Sequence, residues 1–164
     1  MAKLERIENA MAIAKEKLID MYRVMARIRV FENRVNKEFA AGNIPGFVHL
    51  YAGEEAIAAG TCANLRPDDY ITSTHRGHGH LIAKGGKTDR MMAELYGKKT
   101  GYNKGKGGSM HIADVDIGIL GANAIVGAGI PIAGGAALSA KLRGTDQVSA
   151  VSYTHLTLPT ILRV

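Results

Sequence analysis

The sequence predicts an α/β fold in which helices flank a parallel sheet and a further helix precedes it. Two apolar runs, at residues 69–72 and 147–152, have the length and composition of buried strands. Between them lies a segment rich in glycine and alanine that ends at Arg143 and has the composition of a closely packed helix. Strands that are separated by helical segments are typical of α/β sheets.

The N-terminal helix is predicted from an apolar stripe. Its members recur at alternating steps of three and four residues, which is the period of one helix face. Glu32 interrupts the stripe, and Gly42 follows it as a stop signal. One long helix or two in succession would fit, and the interruption favours docking on a globular body over a coiled coil. The stripe consists of Leu4, Ile7, Met11, Ala14, Leu18, Met21, Met25, Ile28, Val35 and Phe39.

Three shorter helices are predicted in the middle of the chain. Residues 56–64 follow two glutamates, which are favourable at the positive end of a helix. Residues 78–84 form the second helix and end at a glycine pair. Residues 89–96 form the third, with Thr88 as its N-cap.

The composition narrows the function classes. The formal net charge of +6 suits anionic ligands, but the positive charge is scattered, so we expect no nucleic-acid partner. Residues 117–140 carry no formal charge yet are only weakly apolar, so we expect no membrane span. The single cysteine, Cys62, excludes an intramolecular disulfide and fits a reducing compartment, which predicts a cytoplasmic location. Its apolar surroundings predict a core position.

Residues 74–80, after the first predicted strand, combine three histidines, an arginine and two glycines. An arginine fork suits phosphate or carboxylate, histidine donates, accepts or carries protons near neutral pH, and glycine lets a backbone come close to a ligand. We therefore predict a polar site at the strand end, with an anion as part of the ligand. Three alternatives stay open: a histidine metal site, a solvated turn that caps a helix, and a nucleic-acid patch.

Two later loops are rich in glycine. Residues 98–111 are also cationic and lack both the Walker spacing and a GxGxxG motif. They form either a close-approach loop for an anion or a flexible surface loop. Residues 120–131 lead into the helix of small residues, which allows another element to approach closely, either in the core or at a subunit interface.

Four sequence blocks together resemble the α subunit of thiamine-diphosphate-dependent 2-oxo acid dehydrogenases. They occur in order over about residues 18–150. The second block is most similar to the acetoin dehydrogenase branch, because pyruvate dehydrogenase α subunits more often have Tyr-Arg in place of His75 and Arg76. The blocks are GFVHLY at 46–51, THRGHG at 74–79, GKGGSMH at 105–111 and IVG at 125–127.

The resemblance implies a role for each matching residue. Arg76 would hold the cofactor diphosphate, and His75 would make the neighbouring cofactor contact. His49 would face the thiazolium ring and the substrate, which makes it both a catalytic and a cofactor-binding residue. His78 would lie near the same cavity as a second catalytic residue. The implied fold is a partial thiamine-diphosphate-binding α/β domain.

The block around residues 124–127 implies further contacts and contains a departure. Ala124 and Val126 match backbone contacts around the aminopyrimidine ring, but position 124 is normally glycine. If that residue needs a positive φ, the methyl group costs roughly 1–2 kcal/mol.

A second departure lies at the end of the chain. After residue 152 the family continues with Gly-Asp-Gly and a later asparagine, which hold Mg²⁺ and the diphosphate, whereas this chain reads YTHLTLPTILRV. We assign no metal ligand to it and expect the metal-binding part to be missing, with a frameshift or cloning scar as the explanation. The chain alone should then be inactive. The expected organisation is a helical segment (1–42), a partial cofactor-binding domain (43–152) and a tail foreign to the family (153–164).

The resemblance also implies partners. A β subunit would complete an α2β2 heterotetramer and supply the glutamate that polarises the aminopyrimidine. The substrate would be acetoin or a 2-oxo acid, and the acyl unit would pass to a lipoyl-bearing acyltransferase; a pyruvate dehydrogenase α subunit is the alternative. Two other classes stay open: a non-catalytic assembly protein, and a small metal hydrolase built on His75, His78, His80 and His111.

Overall fold

The computed structural model describes residues 13–153, which form one sheet of three strands together with five helices. The elements are, in order, α1 (Lys15–Ala40), α2 (Glu55–Cys62), β1 (Tyr70–Thr74), α3 (His78–Ala83), α4 (Thr88–Leu95), a 3₁₀ turn (Val115–Ile117), β2 (Ile119–Asn123), α5 (Gly129–Arg143) and β3 (Ser149–Val151).

The three strands form a parallel sheet in the order β2–β1–β3. Helix α5 connects β2 to β3 and packs on β1, where the Thr72 hydroxyl donates to the carbonyl of Gly129 at 3.0 Å. Thr74 pairs with Asn123, so β1 and β2 end side by side. The predicted α/β class with a parallel sheet is confirmed. Ligands of such sheets bind beyond the carboxyl ends of the strands.

Strand β2 was not predicted from the sequence. Its central Gly121 has a φ of +140°, and the pairing with β1 shifts register between Ile71 and Thr72. A strand with this local composition depends on its neighbour, because the pairing with β1 supplies the hydrogen bonds that its own sequence does not suggest.

The predicted apolar stripe is buried only in the second half of α1. Ile28 and Val35 are fully buried, whereas Leu18 and Phe39 are 48% and 40% exposed. Three stripe members, Leu4, Ile7 and Met11, lie outside the described residues. The buried face of α1 packs against α2 and α3 and consists of Ile28, Phe31, Glu32 and Val35.

Helix α1 docks on a globular body as predicted, and Glu32, the polar residue that interrupts the apolar stripe, lies within the docked face. Its side chain is 0% exposed and lies in the middle of that face. A buried carboxylate is strongly unfavourable unless another group pairs with it. Here the imidazole of His78, at the start of α3, provides that partner at 2.8 Å.

The other local expectations mostly match the described chain. Helix α4 includes Thr88 as its first residue, and Lys87 occupies the N-cap position that was predicted for Thr88. Cys62 is buried as predicted, and burial raises the pKa of its thiol to about 11. Within residues 13–153, no helix is long and apolar enough to cross a membrane.

A buried aspartate joins the amino ends of β1 and β3. Asp69 accepts hydrogen bonds from the Arg66 backbone N–H (2.7 Å), the Arg66 guanidinium (3.0 Å) and the Val148 backbone N–H (2.8 Å). Burial alone would raise the pKa of Asp69, but these donors outweigh it and hold the pKa at about 2. Arg66 also reaches Asp146 at 2.6 Å, so the cluster spans both strands.

We expect acid to destabilise the chain through Asp69. Because its folded pKa is depressed, the stabilisation is present above the unfolded pKa of about 4 and is lost as the pH falls toward 2, to a total of about 2 kcal/mol. Urea unfolding of the wild type and of Asp69→Asn between about pH 6 and pH 3 checks this. The Asn variant should be the less stable at pH 6, with a smaller pH dependence. Equal pH slopes would contradict the assignment.

Candidate functional site

The histidine–arginine run at residues 74–80 lies at the carboxyl edge of the parallel sheet, where α/β sheets of this kind bind ligands. Residues 75–77 form the connection that leaves the carboxyl end of β1 and enters α3 at His78. The end of β2 lies alongside, so residues 123–127 border the same edge. A small cavity there is lined by Ser73, Thr74, His75, Asn123, Ile125, Val126, Gly127, Gly129, Val151, Ser152 and Tyr153.

The sequence predicted that the glycines of the run, Gly77 and Gly79, let a ligand come close to the backbone. In the structure they instead let parts of the protein pack closely against each other. A Cβ at Gly77 would overlap Ala122 of β2, and a Cβ at Gly79 would overlap the ring of Tyr51. Tyr51 is fully buried, so α3 lies directly on its ring. The glycines thus bring the start of α3 against β2 and against the segment that carries His49.

The segment that carries His49 is irregular but is held from several sides. The His49 backbone N–H donates to the Ser109 hydroxyl at 3.1 Å. The Arg76 guanidinium donates to the carbonyl of Leu50. Together with the buried Tyr51 ring, these contacts fix residues 47–51 beside the β1–α3 connection although they form no helix or strand.

His49 and His75 lie against each other. Their ring centroids are 4.8 Å apart at an interplanar angle of 83°, which is an edge-to-face contact. His49 Nδ1 is buried and has no hydrogen-bond partner among the described residues. A buried, unsatisfied ring nitrogen is unusual in a native structure. Both ring nitrogens of the buried His80 share this state, and what distinguishes His49 is its contact with His75 at the carboxyl edge of the sheet.

His78 occupies a different kind of position. Its ring is 0% exposed, with Nδ1 at 2.8 Å from Glu32 and Nε2 at 3.0 Å from the Ser109 hydroxyl. Both ring nitrogens therefore have protein partners. His78 is linked to the His49 segment through Ser109, and its catalytic role stays a prediction.

The residues after β2 border the same cavity as His75. The Asn123 side chain accepts the backbone N–H of Ile125 at 2.9 Å and thereby turns the chain. Val126 is 73% exposed at the cavity rim, and Gly127 has a φ of +80°. Ala124 has no positive φ, so the strain considered for its methyl group does not arise.

The histidines do not form a metal centre in the described part of the chain. No group of three or more His, Cys, Asp or Glu side chains there has the arrangement of a metal site. His80 is buried against Tyr51, with ring centroids 5.3 Å apart, and burial lowers its pKa to about 4. With His78 bound to Glu32 and Ser109, the geometry gives no support to the hydrolase alternative.

The glycine-rich loop binds an anion that belongs to the protein itself. Glu94 of α4 is 0% exposed, and its carboxylate accepts four backbone N–H groups at 2.8–3.1 Å. A Cβ at Gly101 would overlap this glutamate. These amides are therefore bound to α4 and are not open to an external anion. The four donors are Asn103, Gly105, Gly107 and Gly108.

Sequence patterns missed Glu32, Ser109 and Glu94. A glutamate on an otherwise apolar helix face is the one signal that pointed to Glu32. Ser109 was part of a recognised block but was given no role. In the sequence, Glu94 cannot be distinguished from other polar residues on a surface helix. The backbone N–H groups that donate to it lie 9 to 14 positions further along the chain.

Comparison with known proteins agrees with these blocks. A family model described as "Dehydrogenase E1 component" matches residues 23–154. The acetoin:2,6-dichlorophenolindophenol oxidoreductase α subunit of Bacillus subtilis is 60% identical over 88% of the chain, and that of Cupriavidus necator is 54% identical over 90%. The pyruvate dehydrogenase E1 component α subunit of Porphyra purpurea is 42% identical over 82%.

These relatives are much longer than the matched region. The chain spans 44% of the two acetoin proteins and 39% of the Porphyra protein. The family match covers most of the chain, including the His49 segment, the β1–α3 connection, the glycine-rich loop and the cavity edge. This chain therefore belongs to the dehydrogenase E1 component family.

Proposed function

We propose that this chain contributes part of a thiamine diphosphate site to the α subunit of a dehydrogenase that cleaves acetoin. The observation that carries the proposal is the His49–His75 pair at the carboxyl edge of the sheet, with the buried Nδ1 of His49 lacking a partner in the described chain. The higher identity to the two acetoin proteins than to the pyruvate dehydrogenase favours acetoin. A 2-oxo acid such as pyruvate is the alternative substrate.

The proposed residues fit such a cofactor by their chemistry. Arg76 supplies a guanidinium for the diphosphate, with His75 adjacent to it in the chain. His49 has an unsatisfied ring nitrogen beside His75, and it would face the cofactor and the substrate. Ala124 and Val126 lie after β2, where backbone groups would contact the aminopyrimidine. Thiamine diphosphate, when bound, supplies the carbanion chemistry, and these residues hold and orient it.

The remaining expectations belong to the same proposal. Mg²⁺ would accompany the diphosphate, held by residues other than those assigned here, since Mg²⁺ prefers oxygen ligands. A β subunit in an α2β2 heterotetramer and a lipoyl-bearing acyltransferase would complete the activity. The division at residues 42/43 and 152/153 and the cytoplasmic location stay predictions.

Arg76→Met should weaken thiamine diphosphate binding about tenfold to a hundredfold, because a charge-assisted hydrogen bond contributes about 1.5–3 kcal/mol. Calorimetry on the complete α–β assembly with Mg²⁺ measures the dissociation constant. Arg27→Met, on the exposed side of α1, removes the same charge away from the site and from α5 and is the matched control. An unchanged dissociation constant in the Arg76 variant would refute the role of Arg76 in binding the diphosphate. A comparison of the activity of the complete assembly on acetoin and on pyruvate tests the substrate specificity.

We further propose that α5 forms a subunit contact. Gly134 and Gly135 face open space, since no heavy atom lies within 4 Å of a Cβ built at either position. Close packing inside the described chain therefore does not account for these small residues. Several exposed apolar side chains lie on or beside the same helix, namely Ile130, Ile132, Leu138, Leu142 and Val148.

Gly134→Leu should reduce assembly without destabilising the chain. Leucine fits the open space and has the higher helix propensity, so the free energy of unfolding should stay equal or rise by up to about 1 kcal/mol. At an interface, the same side chain would obstruct close approach. Light scattering with the β subunit measures assembly, with Gly134→Ala as the smaller control. Normal assembly of the Leu variant would remove α5 from the interface.

A further inference from the structure

Glu32 joins three separate parts of the chain through one line of hydrogen bonds. Its Oε1 lies 2.8 Å from His78 Nδ1, and His78 Nε2 lies 3.0 Å from the Ser109 hydroxyl. That hydroxyl accepts the backbone N–H of His49 at 3.1 Å. The line thus runs from α1 through the start of α3 and the end of the glycine-rich loop to the His49 segment.

The burial of this line restricts its protonation. Glu32 and His78 are both 0% exposed, and Glu32 Oε2 has no hydrogen-bond partner among the described residues. A lone carboxylate charge at such a position would be very costly, so the pair should be neutral overall. It is then either a carboxylate with an imidazolium or a carboxylic acid with a neutral imidazole.

Both neutral forms leave the same nitrogen protonated. In the ion pair, both ring nitrogens of His78 carry protons. In the neutral pair, the acid donates to Nδ1, so the ring proton is on Nε2. In either case Nε2–H donates to the Ser109 hydroxyl, whose oxygen accepts the His49 N–H with its second lone pair.

We propose that Glu32 is a positioning residue for His49, acting through His78 and Ser109. Glu32 holds the orientation of the His78 ring and a proton on its Nε2, and this proton fixes the Ser109 oxygen as the acceptor for the His49 backbone. The inference rests on the proposed function, because it is His49 that would face the cofactor. It assigns Glu32 and Ser109 a part in the site although neither would touch the bound group.

The arrangement of His49 makes this positioning consequential. Its segment has no secondary structure, and Ser109 and Arg76 provide its side-chain hydrogen bonds to residues 49 and 50. Loss of the Ser109 acceptor would leave the His49 N–H unsatisfied and free the ring to move against His75. A displacement of about 1 Å at a reacting group is enough to slow catalysis strongly.

NMR of the 164-residue chain labelled with ¹⁵N tests the proposal without any cofactor. In the wild type, His78 Nε2 should carry a proton, with a coupling pattern that identifies this nitrogen. Glu32→Ala and Ser109→Ala should each shift the His49 amide resonance and the His49 and His75 ring signals. Glu32→Gln, whose amide can still pair with Nδ1, should restore most of the wild-type pattern. Glu16→Ala removes an exposed carboxylate from the same helix and should change none of these signals.

Two results would overturn the proposal. One is a deprotonated His78 Nε2 in the wild type; the other is an unchanged His49 amide in Ser109→Ala. Both measurements stay decisive if Glu32→Ala does not fold. Because these NMR measurements contain no thiamine diphosphate, they are independent of the proposed function. A failed cofactor titration of the complete α–β assembly would remove the proposed function while the hydrogen-bonded line stood, and the reverse outcome is equally distinguishable.

Discussion

Glu94→Ala should lower the free energy of unfolding by about 3–5 kcal/mol, because it leaves buried backbone donors without an acceptor. Four N–H groups of the loop at residues 103–108 converge on this one carboxylate. Glu94→Gln should be intermediate, since its NH₂ group would face two donors that the second carboxylate oxygen accepts in the wild type. Urea unfolding followed by circular dichroism measures both changes.

The controls for Glu94 separate a loss of charge from a loss of the acceptor. Glu16→Ala, on the exposed side of α1, should change stability by less than about 0.5 kcal/mol. The loop of the Glu94 variants should also become sensitive to protease, since its backbone loses its internal partner. A Glu94→Ala chain as stable as the Glu16 variant would show that water replaces the carboxylate without cost.

Gly79→Ala should be the most damaging single-methyl substitution in the site. The new Cβ would overlap the ring of Tyr51, which is fully buried and has no room to withdraw. Overpacking of this kind costs about 1–3 kcal/mol or more, and here it would also displace the segment that carries His49. The melting temperature and the His49 amide resonance should both change.

Gly60→Ala is the matched control because it adds the same methyl group to another short helix. Position 60 lies inside α2 with open space around it and no positive φ. The substitution should stabilise the chain by about 0.5–1 kcal/mol through helix propensity. If both variants changed the free energy of unfolding by the same amount and in the same direction, the inference that α3 packs directly on the Tyr51 ring would be contradicted.

Helix positions were predictable where the sequence carries local signals. Periodicity and glycine stops placed the helices that begin at His78 and Thr88 to within one residue at each end. Strand β2 was missed because residues 119–123 contain Gly121 and Asn123, and its pairing with β1 is a long-range contact. Local composition does not encode a partner that lies about 50 positions away.

The site was only partly predictable for a similar reason. His49, His75, Arg76 and Val126 were assigned to the site from recognised blocks, and the fold brings their segments to one edge of the sheet, while their roles stay predictions. The carboxylates that organise these segments belong to helices outside the blocks. Glu32 lies 46 positions from its histidine partner.

The interpretation of the glycines shows where pattern reasoning fails. A glycine beside an arginine suggests a ligand, but Gly77 and Gly79 make room for Ala122 and Tyr51. The cationic glycine-rich loop likewise suggested an external anion, whereas its amides are already bound to Glu94. In both cases a residue of the chain itself occupies the place that was assigned to a ligand.

The central claim is that the carboxyl edge of β1 and β2 is part of a thiamine diphosphate site that other residues must complete. Titration of thiamine diphosphate and Mg²⁺ into the ¹⁵N-labelled 164-residue chain tests it most directly. We expect binding weaker than about 100 μM, with perturbed amides confined to residues 49, 75–76 and 124–127, and unperturbed amides at 103–108. Micromolar binding by the chain alone, or perturbations centred on residues 103–108, would contradict the account.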